Sequence, residues 1–235
     1  MNNIPPPLPS LTPPPLPPLP PLPSRPPSSN FVVDTMLSVV VFLTIPLVFM
    51  NIFGGVISGI WLAVLGEWKA IGMGVILIIV SAIGLGFVLM PSLIFALPAT
   101  RAIEAGKNSL AAFLGGLTMI YTGVVMLCWA IIIFVYYYKA SDSSSLIPML
   151  FWSYGVATAP WSHMAKSDQQ AGNNFSAIPV FFLSIGYLVM IIAVLIVGPS
   201  LLASTIILGV FILIGIIFVI SAAIQEDKVS RRIKF

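Results

Sequence analysis

Four runs of more than 30 residues contain no Asp, Glu, Lys or Arg: Thr35–Gly66, Ala70–Thr100, Asn108–Tyr138 and Gln169–Gln225. A hydrocarbon core of ~30 Å is crossed by ~20 apolar helical residues. The first three runs each hold one such span, and the fourth holds two. Composition agrees: 59% of the 235 residues are hydrophobic and 7% are charged, against ~25% charged in an ordinary soluble domain. A water-soluble fold of this size has too much surface to hide so many apolar side chains. The solvent for this chain is therefore expected to be lipid.

The expected fold is all-α, a polytopic integral membrane helical bundle. Its expected spans are 36–62, 71–97, 110–135, 176–197 and 200–223, within a transmembrane domain over 31–225. A tail over 1–30 precedes it, and a basic cytoplasmic tail over 226–235 follows. The Gly198-Pro199-Ser200 step divides the last run, since glycine ends one helix and proline begins the next. Pro46 is expected to kink the first span. Pro91 should bend the second, and Pro98 with Thr100 should end it. The first 30 residues lack a basic n-region and an apolar h-region, so the first span is expected to direct insertion.

The segment Leu146–Trp161, "LIPMLFWSYGVATAPW", decides the topology. Pro148 suits a first helical turn and Pro160 is expected to stop the helix. A helix over 146–160 is only ~21 Å long, short of the hydrocarbon core. Trp152 and Tyr154 would fall near mid-bilayer, whereas such residues favour the interface. The reading is five transmembrane helices plus one short amphiphilic helix, interfacial or re-entrant, with six transmembrane helices as the alternative. Basic residues divide seven against three for five spans and eight against two for six. Both schemes put the C-terminus in the cytoplasm of a bacterial plasma membrane. They place the N-terminal tail on opposite sides.

That tail holds 14 of the 21 prolines. Proline fixes φ and removes the amide donor, so disordered polyproline II is expected. Leu19, Pro20, Leu22, Pro23 and Arg25 form an apolar-Pro-x-apolar-Pro-x-Arg string that resembles the ligands of SH3 domains. It implies a polyproline-binding partner, set against a plain low-complexity spacer.

Small residues four apart let helices approach closely. Gly55/Gly59, Ala82/Gly86 and Ala111/Gly115 are the candidate packing faces, within the chain or between copies. Asn51, Ser58 and His163 are the candidate path-lining residues. Asn51 is expected to bond a neighbouring helix or a carbonyl freed near Pro46. "VYYYK", Val135–Lys139, reads as an interfacial belt. Cys128 reads as a small buried apolar residue, and a single cysteine allows no internal disulfide.

Ionisable groups inside a membrane mark proton and ion paths, and none falls within these spans. No catalytic motif of the zincin or nucleophile-elbow type is present. A lone histidine, His163, makes a membrane enzyme the weakest reading and leaves no cofactor or metal to expect. No basic, aromatic-interleaved patch points to nucleic acid. The expected partners are the lipid bilayer, a membrane protein or a second copy. The functional expectation is a non-enzymatic scaffold or accessory subunit. The alternative is a small transporter, channel or lipid-handling protein for a neutral or amphiphilic solute.

Overall fold

The structure is a computed structural model that describes residues 31–170 and 176–233. The proline-rich tail, with Leu19, Pro20, Leu22, Pro23 and Arg25, lies outside the described residues. Every regular element among those described is helical: α1 (Phe31–Val64), α2 (Trp68–Leu89), α3 (Leu93–Glu104), α4 (Asn108–Ala140), α5 (Leu146–Gln170), α6 (Ala177–Val197) and α7 (Leu201–Ile233). Four of them, α1, α4, α6 and α7, are long and apolar enough to cross a membrane; α2 and α3 together make a fifth if their bent pair is one span.

The turns follow their sequences. Gly66 sits at φ 81° just past α1. Glu67 N–H reaches back to Leu62 O at 2.8 Å, and Gly66 N–H to Ala63 O at 3.1 Å. This paired closure of a helix end needs a left-handed residue, which glycine supplies without a Cβ clash. Gly106, at φ 67°, closes α3 in the same way, with Lys107 N–H on Ala102 O at 2.8 Å.

Prolines interrupt the helices less than the sequence suggests. Pro46, Pro98 and Pro160 all lie inside α-helices. Pro91 occupies a 3-10 turn, Met90–Ser92, between α2 and α3. The halves Trp68–Gly84 and Gly86–Ala102 meet at a 41° bend. The expected stop at Pro98 is not made. The expected stop at Pro160 is not made either, and α5 runs ten residues past it to Gln170. Inside a bundle, neighbouring helices and hydroxyl side chains accommodate the backbone groups that proline frees.

Contacts between helices fix their directions. Gly155 of α5 lies against Gly55 and the Asn51 carbonyl of α1, and Gly59 of α1 lies against Trp152. Rising numbers in α1 thus meet falling numbers in α5. On α4, Tyr137 bonds Ala70 while Tyr121 bonds Val88, so α4 opposes α2. Gly116 and Gly123 of α4 meet Ile220 and Ile216 of α7. Gly186 meets Phe211, and Gly215 meets Phe182, across the α6–α7 hairpin. Direction therefore alternates along the chain through α1, α2–α3, α4, α5, α6 and α7.

The centre of the bundle is α5. It packs on α1, α2, α4 and α6, and α1 has far more contact with α5 than with α2, its neighbour in sequence. Met149, Leu150, Tyr154, Val156, Ala157, Trp161 and Ala165 join one buried cluster with Ile133 and Phe134 of α4 and Leu183 and Met190 of α6. The physical reason is composition. In lipid, apolar side chains gain little by hiding, whereas small and polar ones gain close packing and hydrogen bonds. Ser153, Gly155, Ala157, Thr158 and Ser162 make α5 the helix that belongs inside, and all five are buried.

Several packing expectations change. Gly55 is buried and its Cα lies near Gly155 of α5, but nothing lies within 4 Å of a Cβ built on Gly55 itself, whereas Gly59 touches Trp152. Ala111 is buried, while nothing lies within 4 Å of a Cβ built on Gly115. Ala82 and Gly86 are exposed, and no neighbour packs on Gly86; Gly74 forms the close contact of α2 instead. Cys128, expected to be buried, is exposed on α4. An outward position costs a cysteine little when the surroundings are hydrocarbon.

Candidate functional site

The polar groups of the bundle gather along α5. At one end, Trp152 Nε1 donates to Tyr137 Oη at 3.0 Å and to the Ala70 carbonyl at 3.3 Å. Tyr137 Oη donates to the same carbonyl at 3.1 Å. Three helices, α2, α4 and α5, are joined at this point. Gly74 makes room for it, because a Cβ there would collide with Trp152 Nε1 and Tyr137 Oη. Of the three tyrosines expected to form an interfacial belt, Tyr137 is buried and Tyr136 is exposed. Successive helical residues point about 100° apart, so all three cannot face lipid.

One residue on, Ser153 Oγ and Tyr187 Oη lie 2.8 Å apart, tying α5 to α6, and Ser153 also donates to Leu150 O at 2.7 Å. Tyr154 packs against the Tyr187 ring at 5.9 Å between centroids. Its hydroxyl makes no hydrogen bond of good geometry, although Ser184 stands beside it. Tyr187→Phe should therefore cost only about 0.6 kcal/mol, the mean for one intramembrane hydrogen bond. Thermal unfolding of the detergent-solubilised protein measures this.

At the other end, Asn51 Nδ2 donates to Ser162 Oγ at 3.0 Å, linking α1 to α5. Asn51 is only 4% exposed, and its Oδ1 has no hydrogen-bond partner. Asn51 lies midway along the apolar stretch Ser38–Val64.

Two of the hollows among the described residues adjoin α5. The larger is a groove of ≈480 Å³ between α1 and α2, with α5 as its floor. Asn51, Gly55 and Gly59 line it from α1, Trp68 and Ile78 from α2, and Trp152, Gly155 and Ala159 from α5. It exists because α5 pushes between α1 and α2, and because glycines leave its walls low. The smaller, ≈150 Å³, lies between α2, α4 and α5 and is lined by Ser81, Gly84, Trp129 and Trp161. Trp129 Nε1 is buried there without an acceptor.

Of the three expected path-lining residues, only Asn51 lines the groove. Ser58 is buried on α1 away from it, and His163 is exposed on α5. No three His, Cys, Asp or Glu side chains come together among the described residues. Trp152, Tyr137, Gly74, Gly155 and Ser162 build the site; in sequence, Trp152 and Tyr137 read as interfacial aromatics and none of the five is assigned to a site. The available signal was the small-polar string Ser153–Ser162 itself, which is wasted on lipid but useful against other helices. No protein-family model, curated protein or solved structure matches this chain.

Proposed function

We propose that the chain is a non-enzymatic integral membrane protein that holds and moves a neutral or amphiphilic solute inside the bilayer. The observation that supports this reading is the groove between α1 and α2. Its walls are apolar apart from Asn51, and Ile52, Val56 and Ile60 on its rim are exposed. Such a groove opens sideways, toward lipid, and its ≈480 Å³ falls in the size range of small-molecule sites. The test is transfer of a fluorescent neutral lipid between leaflets of reconstituted vesicles. The protein should accelerate transfer, and Val56→Trp, which obstructs the groove, should slow it several-fold. Equal rates with and without protein would sink this reading.

A scaffold or accessory role stands second. It is favoured by the continuous apolar rim of α1 and α2, where Phe42, Ile60, Ile83 and Phe87 all face outward. A partner membrane protein, a second copy, or a polyproline reader on the tail would then co-purify under mild solubilisation.

The same reading includes six crossings, with α5 as the fourth. Its antiparallel course beside α1 supports this; the basic residues, eight to two for six spans and seven to three for five, do not separate the two schemes. Both tails then share the cytoplasmic face of a bacterial plasma membrane. In a Cys128→Ala background, Ser144→Cys should label with an impermeant maleimide on intact cells, and Ser10→Cys should not. Labelling of Ser10→Cys from outside would restore five spans and a re-entrant α5.

A further inference from the structure

We propose that the protein imposes a step in bilayer thickness, with phospholipid headgroups and water drawn about 13 Å inward at the far end of α5, between α1 and α4. This goes beyond the solute-handling reading and does not depend on it. Two observations carry it: the unequal reach of neighbouring helices, and the polar side chains exposed where the shorter ones end.

Reach comes first. At one end of the bundle α1 and α5 are flush. Gly59 lies against Trp152, and five residues further toward that end stand Val64, the last residue of α1, and Ile147, in the first turn of α5. At the opposite end they are not. The Asn51–Ser162 bond puts those two residues at one level, so Lys166, four residues past Ser162, stands level with Leu47. From Leu47, α1 stays apolar for nine more residues, out to Ser38, or about 13 Å. α4 overhangs in the same way. Pro160 and Trp161 share the smaller hollow with Val125 and Trp129, which sets Lys166 near the level of Ile120. From there α4 stays apolar out to Ser109, about 16 Å. The first turn of α6 also starts at the inner level, since Ile178 and Phe181 pack with Val40 and Leu47. The apolar stretches of α1 and α4 run 27 and 32 residues, about 40 and 48 Å; those of α6 and α7 run 21 and 22, close to the ~30 Å core.

The exposed side chains mark where each surface belongs. Val39, Phe42 and Leu43 of α1, and Leu110 and Phe113 of α4, are exposed on the overhangs, and large apolar side chains there are stabilised by hydrocarbon around them. His163, Lys166, Ser167 and Gln170 are exposed on α5 at or near the inner level. Hydrocarbon around an ammonium is costly, so water and phosphate oxygens come to it. Snorkelling carries a lysine charge part of the way outward, but His163 stands three residues deeper. A flat membrane satisfies only one of the two sets. Tilting the whole bundle does not reconcile them. Packed helix axes lie about 8–10 Å apart, so an offset of about 13 Å needs a tilt of roughly 50°, above the observed range of about 0–40°. A tilt that lowers the overhang of α1 also raises that of α4, because the two helices pack on different sides of α5 and scarcely touch. His163 and Lys166 continue the face of α5 on which Ala159 lines the α1–α2 groove, so the lowered headgroups stand at that groove's end.

The test uses the full chain, with Cys128→Ala, in dioleoyl-phosphatidylcholine nanodiscs. Single cysteines are read by an ionised, water-soluble maleimide, with rates taken relative to the denatured protein to correct for each thiol's own reactivity. Ser167→Cys should react on the order of tenfold faster than Phe42→Cys or Phe113→Cys, since an ionised reagent enters hydrocarbon only at a cost. That order reverses their order along the bundle axis, where Phe42 and Phe113 lie farther out. In thinner dimyristoyl bilayers, Phe42→Cys and Phe113→Cys should gain reactivity while Ser167→Cys stays fast. Fast labelling of Phe42→Cys and Phe113→Cys in dioleoyl bilayers would mean a flat surface at the level of Lys166 and overturn the step. Slow labelling of Ser167→Cys would mean a dry recess and overturn it as well. Shielding of Phe42→Cys that ignores bilayer thickness would assign that face to a second polypeptide, and the step would fall. A failure of lipid transfer between leaflets would leave each of these readings as it is.

Discussion

Gly155→Leu is expected to lose about 3 kcal/mol of stability, the upper end of the cost of overpacking a tight core. A Cβ on Gly155 would lie 3.4 Å from the Asn51 carbonyl oxygen and 3.5 Å from Gly55 Cα. Both are backbone atoms. They retreat only if α1 moves as a whole away from α5, which also stretches the Asn51–Ser162 hydrogen bond. Gly155→Ala should behave differently. Those same distances are ordinary van der Waals contact for a single methyl group, and alanine favours the helix by roughly 1 kcal/mol over glycine. The pair separates a steric account from a general intolerance of mutation. Thermal unfolding in detergent, followed by tryptophan fluorescence, measures both. A leucine variant as stable as the alanine variant would mean that α1 and α5 do not pack as described.

Gly74→Ala is the converse case, in which even one methyl group is too much. The new Cβ would collide with Trp152 Nε1 and approach Tyr137 Oη at 2.6 Å. The indole has to swing out, breaking its bonds to Tyr137 and to Ala70 O. Each such bond in a membrane is worth ~0.6 kcal/mol, with a maximum near 1.7. Adding overpacking of about 1–3 kcal/mol, the expected loss is roughly 2–5 kcal/mol, against near neutrality for Gly155→Ala. Trp152→Phe shrinks the ring and removes the colliding atom. Combined with Gly74→Ala, it should cost less than the sum of the two single changes, because the residues share one space. Additive losses would place the damage at Gly74 elsewhere than against Trp152. Since Trp152 also lines the groove, the same set of variants should alter transfer of the neutral lipid.

The α5 segment shows where reading from sequence stops. Its apolar stretch is short, and Trp152 and Tyr154 were assigned by their preference for the membrane interface. That preference holds for side chains that touch lipid. Tyr154 touches Tyr187 and Trp152 touches Tyr137, Ala70 and Gly59. The rule for lipid contact therefore did not apply to buried Tyr154, and applied only in part to Trp152, which is half-buried beside the groove. Pro160 misled for a related reason: a proline stops a solvated helix, yet packed neighbours can carry α5 past it. Asn51 was legible as a bonded polar residue, while the identity of its partner, Ser162, 111 positions away, was not.

By itself, the sequence determined the helical class, the apolar stretches of α1, α4, α6 and α7, and the break between α6 and α7 at Gly198. These depend on local chemistry: the absence of charge over ~20 residues, and glycine's tolerance of positive φ. Only the tertiary structure decided which helix stands in the centre. In a bilayer, apolarity no longer separates inside from outside, because the solvent is apolar too. Burial then falls to a helix whose small and hydroxyl-bearing residues, here the string Ser153–Ser162 of α5, meet partners and close-packing glycines on its neighbours. Gly55, Gly59 and Gly74 come from two other helices, and their meeting with Gly155 and Trp152 is a long-range fact that no local pattern contains.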